Sequence, residues 1–368
     1  MSLMVEVVDK ISNKSYAKFI IEIFVMGIYQ MRLIMILYLC FFGTSLFAQN
    51  QPLPNHAGPN CHSLHVAFSK NGGNSYNHLV KGIINSASVP DAVRFKDKNL
   101  IYYVNGDFNN HSIYVSEIGN DGKSPKVLGP INLDGKIIKD AVDPDLIVTP
   151  DGKLRLFYYV GLFTKPVTFP RPNKFYSAIS DDGINFKVEG VVAELDNSTD
   201  PTVARLNDGS YLLAITQGKE LKITIFRSMD GYKFKKITSI RGGIPELAIA
   251  SDGNPEILFQ DQHGMVRQTS TDLGNTWKTE RKNVLINGLV GAASPSILKI
   301  SEQKRFLYYL SARKGCTTDP TAYLEDKNAL LPNGNKGQAK GEPPLGHKSQ
   351  AKGEPPLGHG VKPKTKTK

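Results

Sequence analysis

A short phrase recurs five times along this chain and strongly constrains how it can fold. Each copy starts with Ser and passes through a Gly-containing turn, and four of them end on an aromatic residue. The copies are Ser69–Tyr76, Ser116–Lys123, Ser180–Phe186, Ser228–Phe234 and Ser270–Trp277. In the last copy, Asp272 can accept from downstream backbone, Gly274 supplies a positive φ, and Trp277 can pin the turn to a sheet. Repeats spaced by roughly 40 to 60 residues predict an array of similar supersecondary units.

A second repeat runs out of step with the first. Five β-rich runs begin with Pro as their second residue: VPDAV from 89, DPDLI from 143, DPTVA from 200, IPELA from 244 and SPSIL from 294. Each is followed by a turn, which is Asp-Gly in three cases, and by another β-rich run, as in a hairpin. Pro is tolerated at the start of a strand because no ladder donor is needed there. The order within one unit is that of a four-stranded propeller blade.

The two ends of the repeat array complement each other. The fifth unit has its first two strands, Pro295–Ile300 and Arg305–Leu310, but no Ser–Gly turn after them. The missing half stands at the start, as Leu64–Ser69 with its turn through Tyr76. We therefore predict an all-β fold over residues 62–316: a five-bladed β-propeller of four-stranded blades. Its last blade is closed by the N-terminal strand, so that no strand edge is left open at the joint.

The segments outside the propeller predict export and a solvated tail. Residues 31–49 combine a basic start, a short apolar run and a small residue before the end, as in a secretory signal peptide, and 1–30 form a non-structural upstream extension. Residues 333–368 are a disordered, basic, low-complexity tail that supplies much of the net charge of +11. Since this tail has no interleaved aromatics, the charge does not indicate nucleic-acid binding. We expect a secreted or periplasmic monomer that meets a membrane only through its export signal.

The cysteines fit an exported protein. Of the three, Cys40 leaves with the signal peptide, so Cys61 and Cys316 remain as an even pair. Cys316 follows the second strand of the last blade and Cys61 precedes its third, so both lie in the same broken connection. We predict a disulfide between them that staples the ring shut.

Carboxylates recur beside the prolines of the five leading strands. The first strand of a blade lines the central channel, and the residues before and after each Pro are two apart, hence on one side of a regular strand. These positions carry Asp91, Asp143, Asp145, Asp200, Glu246, Ser294 and Ser296. Clustered carboxylates raise one another's pKa, and a proton-bearing acid beside an ionised base is what glycosidic bond cleavage requires. A calcium ion among these oxygens stays open as an alternative, and no other cofactor is expected.

Both repeats resemble known propellers. The Ser–Gly phrases resemble the Asp-box (BNR) repeats of sialidases, and the Asp-Pro strand starts resemble five-bladed glycoside hydrolases of family 43 and its relatives. That resemblance implies an inverting mechanism in which Asp143 is the base, Asp200 tunes it and Glu246 is the acid. This sequence departs from the family, whose Glu stands before the Pro, whereas Glu246 follows Pro245. Asp91 is an alternative base, with Asp143 as modulator, but the blade of Asp200 then offers no Glu at the matching place.

An active sialidase is less expected. Sialidases grip a substrate carboxylate with three Arg, the first of which stands before Ile-Pro, where this chain has Ser88-Val89-Pro90. Arg94 and Arg205 lie further along their strands, and we keep them, with Asp145 and Ser296, as candidate binding residues. The sequence thus predicts a secreted glycoside hydrolase-like protein that acts on or binds oligosaccharides, with a non-catalytic carbohydrate- or protein-binding propeller as the alternative.

Overall fold

The structure is a computed structural model, and it describes residues 58–107, 109–161, 172–217, 222–261, 264–289, 291–313 and 315–316. The predicted upstream extension, signal peptide and basic tail lie outside these residues. In the described part, a short 3₁₀ turn (Pro59–Cys61) precedes twenty-two strands. None of its helical segments is long and apolar enough to cross a membrane.

The strands are short and are joined mostly by tight turns. In chain order they are β1 (His62–Ser69), β2 (Tyr76–Asn85), β3 (Ala87–Phe95), β4 (Lys98–Asn105), β5 (Ile113–Ile118), β6 (Pro125–Pro130), β7 (Asn132–Leu133), β8 (Ala141–Val148), β9 (Leu154–Val160), β10 (Pro172–Ser180) and β11 (Asn185–Asp196). They continue as β12 (Ser198–Arg205), β13 (Tyr211–Gln217), β14 (Lys222–Ser228), β15 (Lys235–Arg241), β16 (Gly243–Ile249), β17 (Pro255–Asp261), β18 (Gly264–Thr269), β19 (Lys278–Arg281), β20 (Leu285–Ile286), β21 (Ala293–Lys299) and β22 (Arg305–Ala312).

Five antiparallel sheets form the five blades of the predicted propeller. From the channel outward, they are β3-β4-β5-β6 (blade 1), β8-β9-β10-β11 (blade 2), β12-β13-β14-β15 (blade 3), β16-β17-β18-β19 (blade 4) and β21-β22-β1-β2 (blade 5). The short strands β7 and β20 add parallel pairs at the outer edges of blades 2 and 5. The prediction of an all-β, five-bladed propeller is confirmed.

The ring closes where the sequence predicts it. Strand β1 pairs with β22 along its whole length, from His62 opposite Ala312 to Ser69 opposite Arg305. The predicted disulfide joins Cys61 to Cys316 beside this pairing, with a Cα–Cα distance of 5.5 Å. The N-terminal strands therefore complete blade 5, and a covalent bond crosses the same joint.

The apolar core lies between neighbouring blades. Tyr102 of blade 1 and Leu154 of blade 2 share one cluster, and Leu212 of blade 3 and Ile257 of blade 4 share another; all four side chains are fully buried. These packed faces follow from the alternation of large apolar residues along the second strand of each blade.

The Ser–Gly turns stand at one end of the ring. In four of the five, the Ser hydroxyl accepts from a Gly N–H three or four residues later and donates to the Asp or Asn two residues on. The degenerate copy differs: Ser116 is instead 3.4 Å from the hydroxyl of Tyr103, and Asp121 organises its turn. Each fixed turn docks on the preceding blade, as when Tyr102 donates to the carbonyl of Gly183 at 2.6 Å.

Every inner strand carries the same irregularity at its Pro. The pairing register with the second strand shifts there in all five blades. The residue before each Pro has a positive φ: 43° at Val89, 50° at Asp143, 53° at Asp200, 54° at Ile244 and 48° at Ser294. This is a β-bulge, which breaks the regular alternation of side chains. The five bulges lie at the end of the channel opposite to the Ser–Gly turns.

Candidate active site

The bulges divide the residues beside the prolines into two sets. A regular strand would place the residues before and after Pro on one side, as the sequence predicts, but the left-handed residue turns the chain between them. The first set, which we call the mouth positions, precedes the prolines: Val89, Asp143, Asp200, Ile244 and Ser294. The second set follows the prolines. Its members are buried and make hydrogen bonds between neighbouring blades: Asp91, Asp145, Thr202, Glu246 and Ser296.

The second set forms a closed ring of hydrogen bonds, which we call the inner ring. Each member accepts a hydrogen bond from a backbone N–H of the next blade. In every case the donor is the residue that directly follows that blade's own member of the ring. The five bonds are Leu146 N to Asp91 (2.7 Å), Val203 N to Asp145 (2.8 Å), Leu247 N to Thr202 (2.9 Å), Ile297 N to Glu246 (2.9 Å) and Ala92 N to Ser296 (2.8 Å). The inner ring therefore ties all five blades together through the channel.

Three carboxyl groups of the inner ring crowd together. One oxygen each of Asp91, Asp145 and Glu246 lie within 4.8 Å of one another, and all three residues are buried. Burial raises the pKa of Asp91 to about 6. Burial, and then the charge of Asp91, raises the pKa of Asp145 well above its ordinary value. Burial, followed by the charges of Asp91 and Asp145, does the same to the pKa of Glu246.

At the mouth, two aspartates meet on neighbouring blades. A carboxylate oxygen of Asp143 accepts from the backbone N–H of Asp200 at 3.2 Å, and Thr199 donates its hydroxyl to Asp200 at 2.6 Å. Asp143 is 3% exposed, whereas Asp200 is half-buried. Burial, and then the charge of Asp200, raises the pKa of Asp143 well above its ordinary value. Asp143 therefore stands behind Asp200 and holds it in place.

A void at the mouth brings both sets into contact with solvent. Its volume is about 280 Å³, including the part that is open to solvent. The residues that line it are Val89, Pro90, Asp91, Pro144, Asp145, Asp200, Pro201, Thr202, Ile244, Pro245, Glu246, Ser294 and Pro295. Each ionisable group in this lining is a carboxyl group. Asp200 and Glu246, from blades 3 and 4, thus line one space, with Asp200 half-buried and Glu246 buried.

The same carboxyl cluster is where a metal ion would fit. Hard cations such as Ca²⁺ prefer several carboxylate and carbonyl oxygens at short distance. Asp91, Asp145 and Glu246 offer such oxygens, although one oxygen of each already accepts a backbone N–H from the next blade. The calcium ion that the sequence left open would therefore be held here, and it would compete with the protons that these groups otherwise bind.

The remaining candidates fall in different places. Ser296 belongs to the inner ring, where its hydroxyl donates to Asp91 at 2.9 Å. Arg94 and Arg205 are exposed near the far ends of their strands and are absent from the described lining of the void. Thr202 is the member that the sequence analysis missed, because a search for carboxylates passes over a hydroxyl. Its position directly after Pro201 was the available signal.

Comparison with known proteins supports the fold. No protein-family model and no curated protein sequence matches the chain. Among solved structures, an endo-1,4-beta-xylanase from Bacteroides thetaiotaomicron is similar with a TM-score of 0.50 and 16% identity, over 64% of this chain and 87% of that one. The family 117 glycoside hydrolase Zg3597 of the marine bacterium Zobellia galactanivorans has a TM-score of 0.46 and 13% identity, over 69% of this chain and 91% of that one. A thermostable family-43 glycoside hydrolase has a TM-score of 0.46 and 13% identity, over 62% of this chain and 91% of that one. At this level of identity, the likeness to the xylanase shows the fold alone.

Proposed function

We propose that this protein is a glycoside hydrolase that acts on oligosaccharides at the channel mouth, with Glu246 as proton donor and Asp200 as base. One observation carries the proposal. Two carboxyl groups on neighbouring blades, those of Asp200 and Glu246, line a single void, and the pKa of buried Glu246 is raised well above its ordinary value, as a proton-donating acid requires.

Glu246 is suited to hold a proton. Burial and the nearby carboxyls of Asp91 and Asp145 raise its pKa, so the neutral acid persists at the pH where an ordinary Glu is ionised. The N–H of Ile297 donates to Oε1 at 2.9 Å and the hydroxyl of Thr202 donates to Oε2 at 3.4 Å, and Glu246 lines the void. A neutral carboxyl in that position can protonate the oxygen of a leaving sugar.

Asp200 is suited to activate water. It is half-buried and lines the void, whereas Asp143 does not belong to that lining. Asp143 accepts the backbone N–H of Asp200 at 3.2 Å and so holds its backbone, while Thr199 donates its hydroxyl to the Asp200 carboxylate at 2.6 Å. The roles that the family resemblance implies for Asp143 and Asp200 are therefore exchanged in this proposal, while Glu246 keeps the role of acid.

The test is a screen of the chain from residue 49 against aryl glycosides and arabinan, xylan and galactan oligosaccharides. Turnover by the unsubstituted protein should fall about 10²- to 10⁴-fold in Glu246→Gln and in Asp200→Asn, the usual range for a general acid or base. Asp97→Asn, an exposed carboxylate in the β3–β4 turn, is the matched control and should keep full activity. Equal loss in all three variants, or turnover that survives in Glu246→Gln, contradicts the assignment.

A non-catalytic carbohydrate-binding propeller is the second candidate. It is favoured by the inner ring itself, because Asp91, Asp145 and Glu246 each already hold the next blade. If no glycoside turns over but one oligosaccharide raises the melting temperature, and Asp200→Asn abolishes that rise, the void binds sugar without cleaving it.

A further inference from the structure

The outer hairpin of blade 3 concentrates positive charge on one edge of the ring. Residues 222–241, which form β14, a Ser–Gly turn and β15, contain six Lys or Arg residues and one acidic residue, Asp230. The corresponding hairpin of the neighbouring blade 2, residues 172–196, contains two Lys and five acidic residues. The six basic residues, which we call the cationic edge, are all exposed except the half-buried Arg227: Lys222, Arg227, Lys233, Lys235, Lys236 and Arg241.

The strand register places cations of this edge directly opposite one another. Lys222 lies opposite Arg241, and Arg227 lies opposite Lys235. Directly opposed side chains on antiparallel strands have Cβ atoms about 4.5–5.5 Å apart, and like charges there destabilise the sheet. Asp208 compensates Arg227 at 2.5 Å. Neither Lys222 nor Arg241 forms an ion pair with any carboxylate of the described residues.

Blades 1 and 2 use complementary charges in the equivalent strands. In blade 1, Glu117 lies opposite Lys126. In blade 2, Lys174 lies opposite Glu194, and the ammonium and carboxylate are 3.5 Å apart. These pairs favour their sheets, whereas the pair of cations in blade 3 is unfavourable unless a further negative charge lies beside it.

We propose that the cationic edge binds a polyanionic polysaccharide, one whose sugars carry carboxylates or sulfate esters. The seven residues of β14 span about 20 Å at roughly 3.3 Å per residue, so the edge is long enough to contact several consecutive anionic groups. The described lining of the void at the channel mouth contains none of the six basic residues. This binding site therefore goes beyond the proposed function and does not depend on it.

The aromatic content of the hairpin favours a polysaccharide over a single-stranded nucleic acid. Proteins bind single strands largely by stacking bases on exposed aromatic rings. In residues 222–241, all of which the structure describes, Tyr232 is the exposed aromatic residue, at 42%. The guanidinium of Arg155 already lies over its ring, 4.3 Å from the centroid. The edge thus offers many charges and little stacking surface.

The experiment measures the affinity of the chain from residue 49 for polygalacturonate and for dextran sulfate, with uncharged dextran as the blank. An exposed Lys or Arg near a polyanionic surface contributes about fivefold in affinity, so the double variant Lys222→Gln/Arg241→Gln should bind about 25-fold more weakly. The matched control, Lys126→Gln/Lys174→Gln, removes the same charge from the outer strands of blades 1 and 2 and should keep the wild-type affinity. The basic tail is identical in both variants, so the difference between them reports the edge alone.

Melting temperatures of the same variants provide a second readout. Removing two opposed cations should raise the melting temperature of Lys222→Gln/Arg241→Gln, whereas the control variant loses favourable pairs and should not gain stability. Asp200→Asn should keep the full affinity for the polyanion, which separates this site from the proposed active site. The polysaccharide that binds more tightly identifies the anionic group. Absence of binding to both, equal affinities of the two double variants, or tighter binding to single-stranded DNA or to phosphatidylglycerol vesicles overturns the inference.

Discussion

The side chain of Glu246 accepts the backbone N–H of Ile297 at 2.9 Å, so the proposed proton donor of blade 4 is also a link to blade 5. This double role follows from its place directly after Pro245, where every blade uses the corresponding side chain to hold its neighbour. Chemistry and ring closure therefore share one carboxyl group. A substitution at Glu246 has to be chosen so that the two contributions can be told apart.

Glu246→Gln and Glu246→Ala should separate these contributions. Gln keeps an oxygen for the N–H of Ile297, so we expect a stability close to that of the wild type but loss of turnover. Ala leaves that N–H without its partner in the channel, which should cost about 1–3 kcal/mol of the free energy of unfolding. Urea denaturation and a turnover assay on both variants provide the check. Equal stability of the Gln and Ala variants would show that the bond to Ile297 contributes nothing.

Asp145→Asn should shift the pH dependence of activity without abolishing it. The charge of Asp145 is one cause of the raised pKa of Glu246, so its removal lowers the pKa of the remaining carboxyls as a coupled set. The alkaline limb of the kcat/KM profile, where the proton donor ionises, should therefore move to lower pH. Asp97→Asn serves again as the exposed control. A profile that keeps its alkaline limb in Asp145→Asn argues against Glu246 as the proton donor.

Much of this architecture can be predicted from the sequence because its signals are local. The Pro-led runs and the Ser–Gly turns each repeat once per blade, and the half-blade before Tyr76 matches the half-blade after Ser294. These features correctly predict five blades, closure by the N-terminal strand and the disulfide between Cys61 and Cys316.

The arrangement of the site could not be predicted in the same way. The sequence argument assumed regular alternation around each Pro, and the residue before Pro normally avoids compact conformations. Only the folded ring shows that this residue is left-handed in all five blades, which places Asp143 behind Asp200 and Thr202 within the inner ring. Arg94 and Arg205 are exposed near the far ends of β3 and β12, away from the bulges at Pro90 and Pro201.

Asp91 should make the protein less stable as the pH rises toward neutrality. Its pKa in the folded state is raised from 3.8 to about 6, so the folded protein binds more protons than the unfolded chain between these values. The stabilisation is complete below about pH 4 and is lost as the pH rises through about 6, at up to roughly 3 kcal/mol for a shift of this size. The pKa values of the turn carboxylates Asp182, Asp230 and Asp272 are lowered to about 2. These groups therefore make the folded protein less stable as the pH falls, below the pH range in which Asp91 acts.

Asp91→Asn isolates this contribution. Asn keeps an oxygen for the N–H of Leu146, and it cannot ionise. The free energy of unfolding of the variant should therefore fall less than that of the wild type between pH 4 and pH 7. EDTA in the buffers of this series prevents a divalent ion from replacing the protons, and a parallel series with calcium and without EDTA tests that replacement. Curves that run parallel for the two proteins would mean that Asp91 does not take up a proton on folding.

Glu256 should be far more sensitive to substitution than an exposed glutamate in the same fold. It is fully buried between two guanidinium groups: Arg267 lies 2.7 Å from one oxygen, and Arg305, also fully buried, contacts the other. Arg267 further donates to Asn74 at 3.0 Å, so this group fastens the N-terminal turn of blade 5 to blade 4. Because Glu256→Gln leaves buried positive charge uncompensated, we expect a loss of about 3–5 kcal/mol in the free energy of unfolding.

The matched control for Glu256 is Glu117, which pairs with Lys98 at 3.0 Å on the surface of blade 1. Both side chains there are at least one third exposed, so Glu117→Gln should change the free energy of unfolding by less than about 1 kcal/mol. Urea denaturation of the two variants measures the difference directly. If Glu256→Gln is as mild as Glu117→Gln, the buried arginines must find other compensation, and the joint between blades 4 and 5 depends on the inner ring instead.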